Sequence, residues 1–228
     1  MRSRQLLLTI LLVMAITNLY SQVSLKDYST KVSDTCWRVD YYIPAGSLNK
    51  VESFKDRKKT IAHGRFVFYD EKGYADSTGF YVNGQRNGTW YYYNNKGKVL
   101  LSREYENGIV VSEKKHEQEP EGKDKSPKPG EVESEFEGGL KGWQQYLNRN
   151  LRYPREAIIA GIQGEVRVAF VVSAVGAVQD IWIIKSIDRS LDKESARLLE
   201  DSPNWIPAEQ DGRRVKSYKI QPIRYRTQ

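Results

Sequence analysis

Few residues in this chain could do covalent chemistry. Its 228 residues include two histidines, His63 and His116, and one cysteine, Cys36. No His-x-x-x-His or Cys-x-x-Cys spacing is present, and no Ser-His-Asp set or carboxylate pair in an apolar setting can be assembled. Zinc and nucleophilic chemistry are therefore not expected. No glycine-rich loop follows a strand and opens a helix, so no phosphate cradle is expected. The sequence predicts a protein that is not an enzyme and takes no cofactor or metal. A lone cysteine rules out an internal disulfide, and Cys36 reads as a small buried residue.

The chemistry on offer is that of an exposed backbone. A final strand runs from about Val215 to Arg226 and contains Tyr218, Lys219, Ile220, Gln221, Pro222, Ile223, Arg224 and Tyr225. Proline brings no ladder donor, so such a strand sits at a sheet edge or carries a bulge. Tyr218 and Ile220 share one phase and Ile223 and Tyr225 the other, which predicts a bulge at Pro222. Arg213, Arg214, Lys216, Lys219, Arg224 and Arg226 crowd this strand and its approach. Two readings stand. The cations guard the edge against self-association, or the edge is kept open for an extended peptide added as a new strand. An open edge would also admit a second copy, so a homodimer is left open.

Other elements must position that strand. Leu140, Trp143, Tyr146, Leu147 and Leu151 fall at helical spacing. Pro154 pushes Tyr153 out of the α region, ends that helix and starts a short second one, closed by Gly161. Glu165–Val172 alternates apolar residues, Gly176 marks a turn, and Val178–Ser186 is bulky on both faces. That second strand is expected to lie in the middle of its sheet or to be covered on both sides. Ser190 or Asp188 caps a helix that buries Leu191, Ser195, Leu198 and Leu199. Trp205 is expected to tuck a loop over the core, and Asp211-Gly212 to turn the chain into the last strand. The order is helix, helix, strand, strand, helix, strand.

Upstream the chain repeats itself. Gly64 to Gly73 aligns with Gly88 to Gly97, Tyr81 with Tyr105, and Asn83-Gly84 with Asn107-Gly108. The period is roughly 24 residues, as in stacked supersecondary units. Asn-Gly is a strong hairpin signal. A looser copy holds Tyr42, Gly46 and Phe54, and Val23 to Asp40 would cap the array. The repeat resembles MORN-type repeats, including those of YwqK-like proteins. It predicts an all-β meander over residues 22–111, with its aromatics as core and cross-strand pairs; an aromatic face for a glycan or a protein partner is the alternative.

Residues 112–135 carry mixed charge, almost no apolar side chains and Pro120, Pro127 and Pro129, the composition of an extended linker. At the amino terminus, Arg2 and Arg4 precede the aliphatic run Leu6–Ile16. Residues 1–21 therefore read as a cleaved secretory signal with Ser21 at the cleavage point, or as a short anchor. Hydrophobic residues are 39% and charged residues 29%, which fits polar globular domains. The net charge of +7 includes the two arginines of that amino-terminal segment. No basic cluster interleaved with aromatics forms a nucleic-acid groove, so no nucleic-acid partner is expected.

The punctuation of residues 136–228 resembles the C-terminal domain of the TonB family of periplasmic energy transducers. It rests on Tyr153-Pro154, Gly161, Gly164, Gly176, Trp205 and the strand from Tyr218. The resemblance implies an α+β domain, helices packed on a small three-stranded antiparallel sheet. It also implies a function in energy-coupled transport across the envelope. The sheet edge would receive the TonB box, an extended segment of TonB-dependent outer-membrane transporters. Carried over, the contact set is Tyr153, Pro154, Tyr218, Lys219, Ile220, Gln221, Pro222, Ile223, Arg224 and Tyr225. The implied location is the periplasm of a Gram-negative bacterium, with inner-membrane anchoring and an ExbB-ExbD motor as partner if residues 1–21 are retained. Family members usually carry a histidine in the membrane helix, and Leu6–Tyr20 has none. A soluble periplasmic protein- or glycan-interaction module that transmits no force is the alternative.

Overall fold

The structure, a computed structural model, describes residues 24–117 and 130–226 apart from 45 and 95. The amino-terminal signal or anchor and most of the linker, 118–129, lie outside the described residues.

The amino-terminal unit is one antiparallel sheet in which each strand pairs with the next: β1 (Lys26–Ser33), β2 (Cys36–Tyr42), β3 (Leu48–Phe54), β4 (Gly64–Tyr69), β5 (Ala75–Val82), β6 (Gln85–Tyr93), β7 (Val99–Glu106) and β8 (Ile109–Lys115). The repeat explains why. Asn83 and Gly84 take φ of 51° and 85°, and Asn107 and Gly108 take 48° and 84°. Two successive positive φ values match the strand twist and close a two-residue hairpin. The alternate loops also share one hydrogen-bond pattern. The Asp70 amide donates to the Tyr74 carbonyl at 2.8 Å, the Asn94 amide to Lys98 at 2.9 Å, and the Ile43 amide to Ser47 at 3.1 Å. The irregular first copy is thus the same hairpin.

The two faces of this sheet do different work. One gathers Phe66, Trp90 and Tyr105 with Phe54, Phe68, Tyr81 and Tyr92. Trp90 is fully buried there because Gly79 on the neighbouring strand offers no side chain; a Cβ at Gly79 would lie 2.3 Å from the indole. The other face carries Tyr42, Leu48, Val51, Val67, Tyr69, Ala75 and Tyr93 into a core shared with the carboxy-terminal unit.

That second unit holds α1 (Gly139–Asn150), α2 (Arg155–Ile159), β10 (Gly164–Val172), β11 (Val178–Lys185), α3 (Arg189–Glu200) and β14 (Ser217–Tyr225). The helices pack on a three-stranded antiparallel sheet ordered β11-β10-β14. A small second sheet joins β9 (Glu131–Val132), β12 (Ala208–Gln210) and β13 (Arg213–Val215). Val166, Val168, Phe170 and Val172 point inward from β10, and Leu191, Ser195, Leu198 and Leu199 meet them from α3, all fully buried. Asp188 caps α3 by accepting the Ser190 amide at 2.8 Å. Trp205 closes the core 5.0 Å from the Phe170 ring. Gly176 is needed beneath it, since a Cβ there would meet the Trp205 carbonyl at 2.2 Å.

Of the two positions expected for the second strand, the structure has the covered one: the central strand is β10, and β11 is an outer strand covered on both faces. Its bulk on each side reflects α3 below and the meander above. The Tyr69 hydroxyl donates to the Ile183 carbonyl at 2.7 Å, and the Ser186 amide to the Gly73 carbonyl at 2.8 Å. One expectation is corrected: Pro222 marks no bulge, and β14 pairs with β10 in unbroken register from Ser217 to Tyr225. Ile223 and Tyr225 face the helices, whereas Tyr218 and Ile220 face the sheet's other side, half-exposed. The segment 112–135 carries strand at both described ends, in β8 and β9.

Candidate functional site

The candidate site is built on β14, which among the described residues has a ladder partner, β10, on one side only. Arg167 stands opposite Pro222, with Val168 opposite Gln221 and Ala169 opposite Ile220. In an antiparallel ladder, residues alternate between positions bonded to the partner and positions turned away from it. Proline has no N–H to give, so the intact register places residue 222 at a position turned away. The same parity turns the backbone groups of Tyr218, Ile220 and Arg224 to the open side and those of Lys219, Gln221 and Ile223 toward β10.

The predicted contact residues divide by what holds them. At the start of the strand, Ser217 Oγ donates to Ser134 Oγ at 2.7 Å and Lys219 Nζ to Glu133 at 3.2 Å. At its end, Arg224 donates to Glu165 at 2.8 Å, as does Arg167. Burial pulls the Glu165 carboxyl up, but those two guanidiniums outweigh it and hold it below its usual value. Tyr153 is not free: its hydroxyl donates to the Ile162 carbonyl at 2.5 Å, and its ring meets Tyr225 edge-on at 5.5 Å. Tyr153 therefore buttresses the end of the strand, and Pro154 opens α2 beside it. Ile223 and Tyr225 are buried and serve the core. The side chains brought to the open surface are those of Tyr218, Ile220, Pro222 and Arg224.

One feature beside the edge was not legible in the sequence. Lys219 and Gln221 form a groove of about 190 Å³ with Phe136, Gly139, Leu140, Trp143 and Trp205. Leu140 is 72% exposed on its flank. Trp143 is 3% exposed, yet its indole N–H has no acceptor among the described residues. An orphaned buried donor is rare and calls for an explanation. Helical spacing had marked Trp143 only as part of an apolar stripe, and no local signal distinguishes a satisfied indole from an unsatisfied one.

The family described as Gram-negative bacterial TonB protein C-terminal matches residues 149–227, about a third of the chain. That match runs from the end of α1 through β14 and so includes the open edge. Among solved structures, two solution structures of the TonB C-terminal domain of Helicobacter pylori are similar, each 28% identical with a TM-score of 0.31. One spans that protein's residues 179–285 and is matched over 39% of this chain and 80% of its own. The other spans residues 194–285 and is matched over 38% of this chain and 91% of its own. No curated protein matches.

Proposed function

We propose that the carboxy-terminal unit docks TonB-dependent outer-membrane transporters by taking an extended segment, the TonB box, as a fourth strand beside β14, in support of energy-coupled transport. The observation that carries this reading is the one-sided pairing of β14 within a stretch that matches the TonB C-terminal family. An unpaired edge supplies main-chain hydrogen bonds for affinity, while pockets for alternate side chains give specificity. The groove floored by Phe136, Trp143 and Trp205 lies on the helix side of that edge. The Trp143 ring lines that groove, so its indole resonance would report an incoming segment.

The test is a titration of isotope-labelled protein with a TonB-box peptide. Amide shifts confined to Tyr218–Tyr225 and the Trp143 indole are expected; an unmoved spectrum at saturating peptide overturns the reading. The fate of residues 1–21 separates its two forms. A mature chain that keeps them is held in the inner membrane and can relay force from ExbB-ExbD. One that begins near Gln22 docks transporters as a periplasmic protein.

A further inference from the structure

A cavity of about 330 Å³ lies between the meander and the outer face of the carboxy-terminal sheet. Trp182, Tyr93, Thr78 and Gly79 are its buried parts. Phe80, Tyr91 and Tyr218, respectively 40%, 39% and 49% exposed, converge on it from the two units. Arg65 and Asp180 are its charged groups, joined by a two-pronged ion pair. Arg65 also reaches Thr78 Oγ1 at 3.4 Å, and its guanidinium lies over the Phe80 and Trp182 rings at 4.5 and 5.3 Å.

The backbone is irregular on both sides. Pairing of β10 with β11 shifts between Ala169 and Val171, and Asp180 there takes a φ of 52°. Pairing of β5 with β6 shifts between Thr78 and Phe80. Bulges re-aim side chains, and a non-glycine residue held at positive φ stores strain that the surroundings must maintain. Here the bulge in β11 presents the Asp180 carboxylate to Arg65.

We propose that this cleft binds a pyranose ring of a neutral glycan. The exposed faces of Tyr91 and Tyr218, over which Arg65 does not lie, carry the negative side of the ring quadrupole, which suits the C–H face of a sugar. The paired carboxylate and guanidinium keep spare acceptor and donor positions for ring hydroxyls. An apolar peptide side chain would dehydrate those positions without serving them, which is costly for buried polar groups. A cationic ligand is excluded because Arg65 already occupies the Phe80 and Trp182 rings. A net anion finds Arg65 already neutralised by Asp180. The volume lies at the small end of the range for ligand pockets, about 300–1,000 Å³, which limits the bound portion to one or two rings.

The experiment titrates the labelled full chain with cellotetraose, maltotetraose and chitotriose at millimolar concentration, then with a TonB-box peptide. At least one oligosaccharide is expected to shift the amides of Gly79, Phe80 and Asp180 and the Trp182 indole. Phe80→Ala and Tyr91→Ala, both at exposed positions, are each expected to weaken that binding about tenfold, or 1.4 kcal/mol, with unchanged melting. Asp180→Asn does the same without removing an aromatic face. A silent cleft with all three sugars overturns the proposal, as does binding that ignores the three variants. Cleft shifts produced by the peptide alone would assign the site to protein and also overturn it. Loss of peptide binding at β14 leaves the glycan result standing, so the two readings fail separately.

Discussion

Arg167 of the central strand and Pro222 of the edge strand face each other across a ladder that runs unbroken through the proline. This places every second backbone unit of β14 on the open side, and Ile220 has the same parity as Pro222. Ile220→Pro is therefore expected to leave melting within a few degrees of the parent and to weaken TonB-box binding at least tenfold. Gln221→Pro removes a bond to β10 and is expected to cost about 2–3 kcal/mol of stability. Thermal unfolding and peptide titration of the pair check this; equal effects of the two variants would contradict the parity.

Trp143→Phe removes the buried N–H together with part of a ring packed against Phe136, Tyr146 and Trp205. Relief of the unsatisfied donor, about 1 kcal/mol or more, offsets part of the cavity cost. Urea unfolding is therefore expected to show a smaller loss of stability than the about 3–5 kcal/mol usual for truncating a buried tryptophan to alanine. A loss as large as that of Trp143→Ala would contradict the offset.

Asp192 joins the two units. Its carboxylate accepts from Ser186 Oγ at 2.5 Å and from the Tyr42 hydroxyl at 3.2 Å, while the Ser186 hydroxyl oxygen accepts the Leu48 amide at 2.8 Å. Burial drives its pKa from 3.8 to about 7, with Asp188 adding to the rise and the bonds from Ser186, Ile187 and Tyr42 opposing it. The folded chain therefore holds a proton that the unfolded chain releases between these values. Stability from this group is full below about pH 4 and falls as pH climbs to about 7, by on the order of 2–4 kcal/mol. Asp192→Asn is expected to flatten that slope in urea unfolding across pH 4 to 8; an unchanged slope would place the titration elsewhere.

The repeat makes a steric forecast of its own. Gly79→Ala sets a methyl against the Trp90 ring at 2.3 Å and is expected to destabilise the meander by about 1–3 kcal/mol. Thermal unfolding followed by near-ultraviolet circular dichroism, where the packed tryptophan reports, checks this.

Some of this was written locally. Asn83-Gly84 and Asn107-Gly108 announced their hairpins because few residues accept successive positive φ. Pro222 announced an edge, and Leu191, Ser195, Leu198 and Leu199 announced the buried side of their helix. What local pattern could not carry was contact between units. Tyr218 and Ile220 looked out of phase because their outer face is apolar for a non-local reason: Tyr218 shares a cleft with Phe80 and Tyr91, which lie more than a hundred residues upstream. Trp182, Ile183 and Ile184 left a central strand and a doubly covered one both open, and the meander supplies the second cover. Arg65 and Asp180, 115 residues apart, carry no sign in either segment that they meet.

Amide hydrogen exchange across β14 is the most direct measurement of the central claim. In the free protein, the amides of Tyr218, Ile220 and Arg224 should exchange quickly while Lys219, Gln221 and Ile223 stay protected. Saturating TonB-box peptide should protect the first set without changing the second. Uniform protection of both sets in the free protein, or no gain at Ile220 and Arg224 on adding peptide, would contradict docking at this edge.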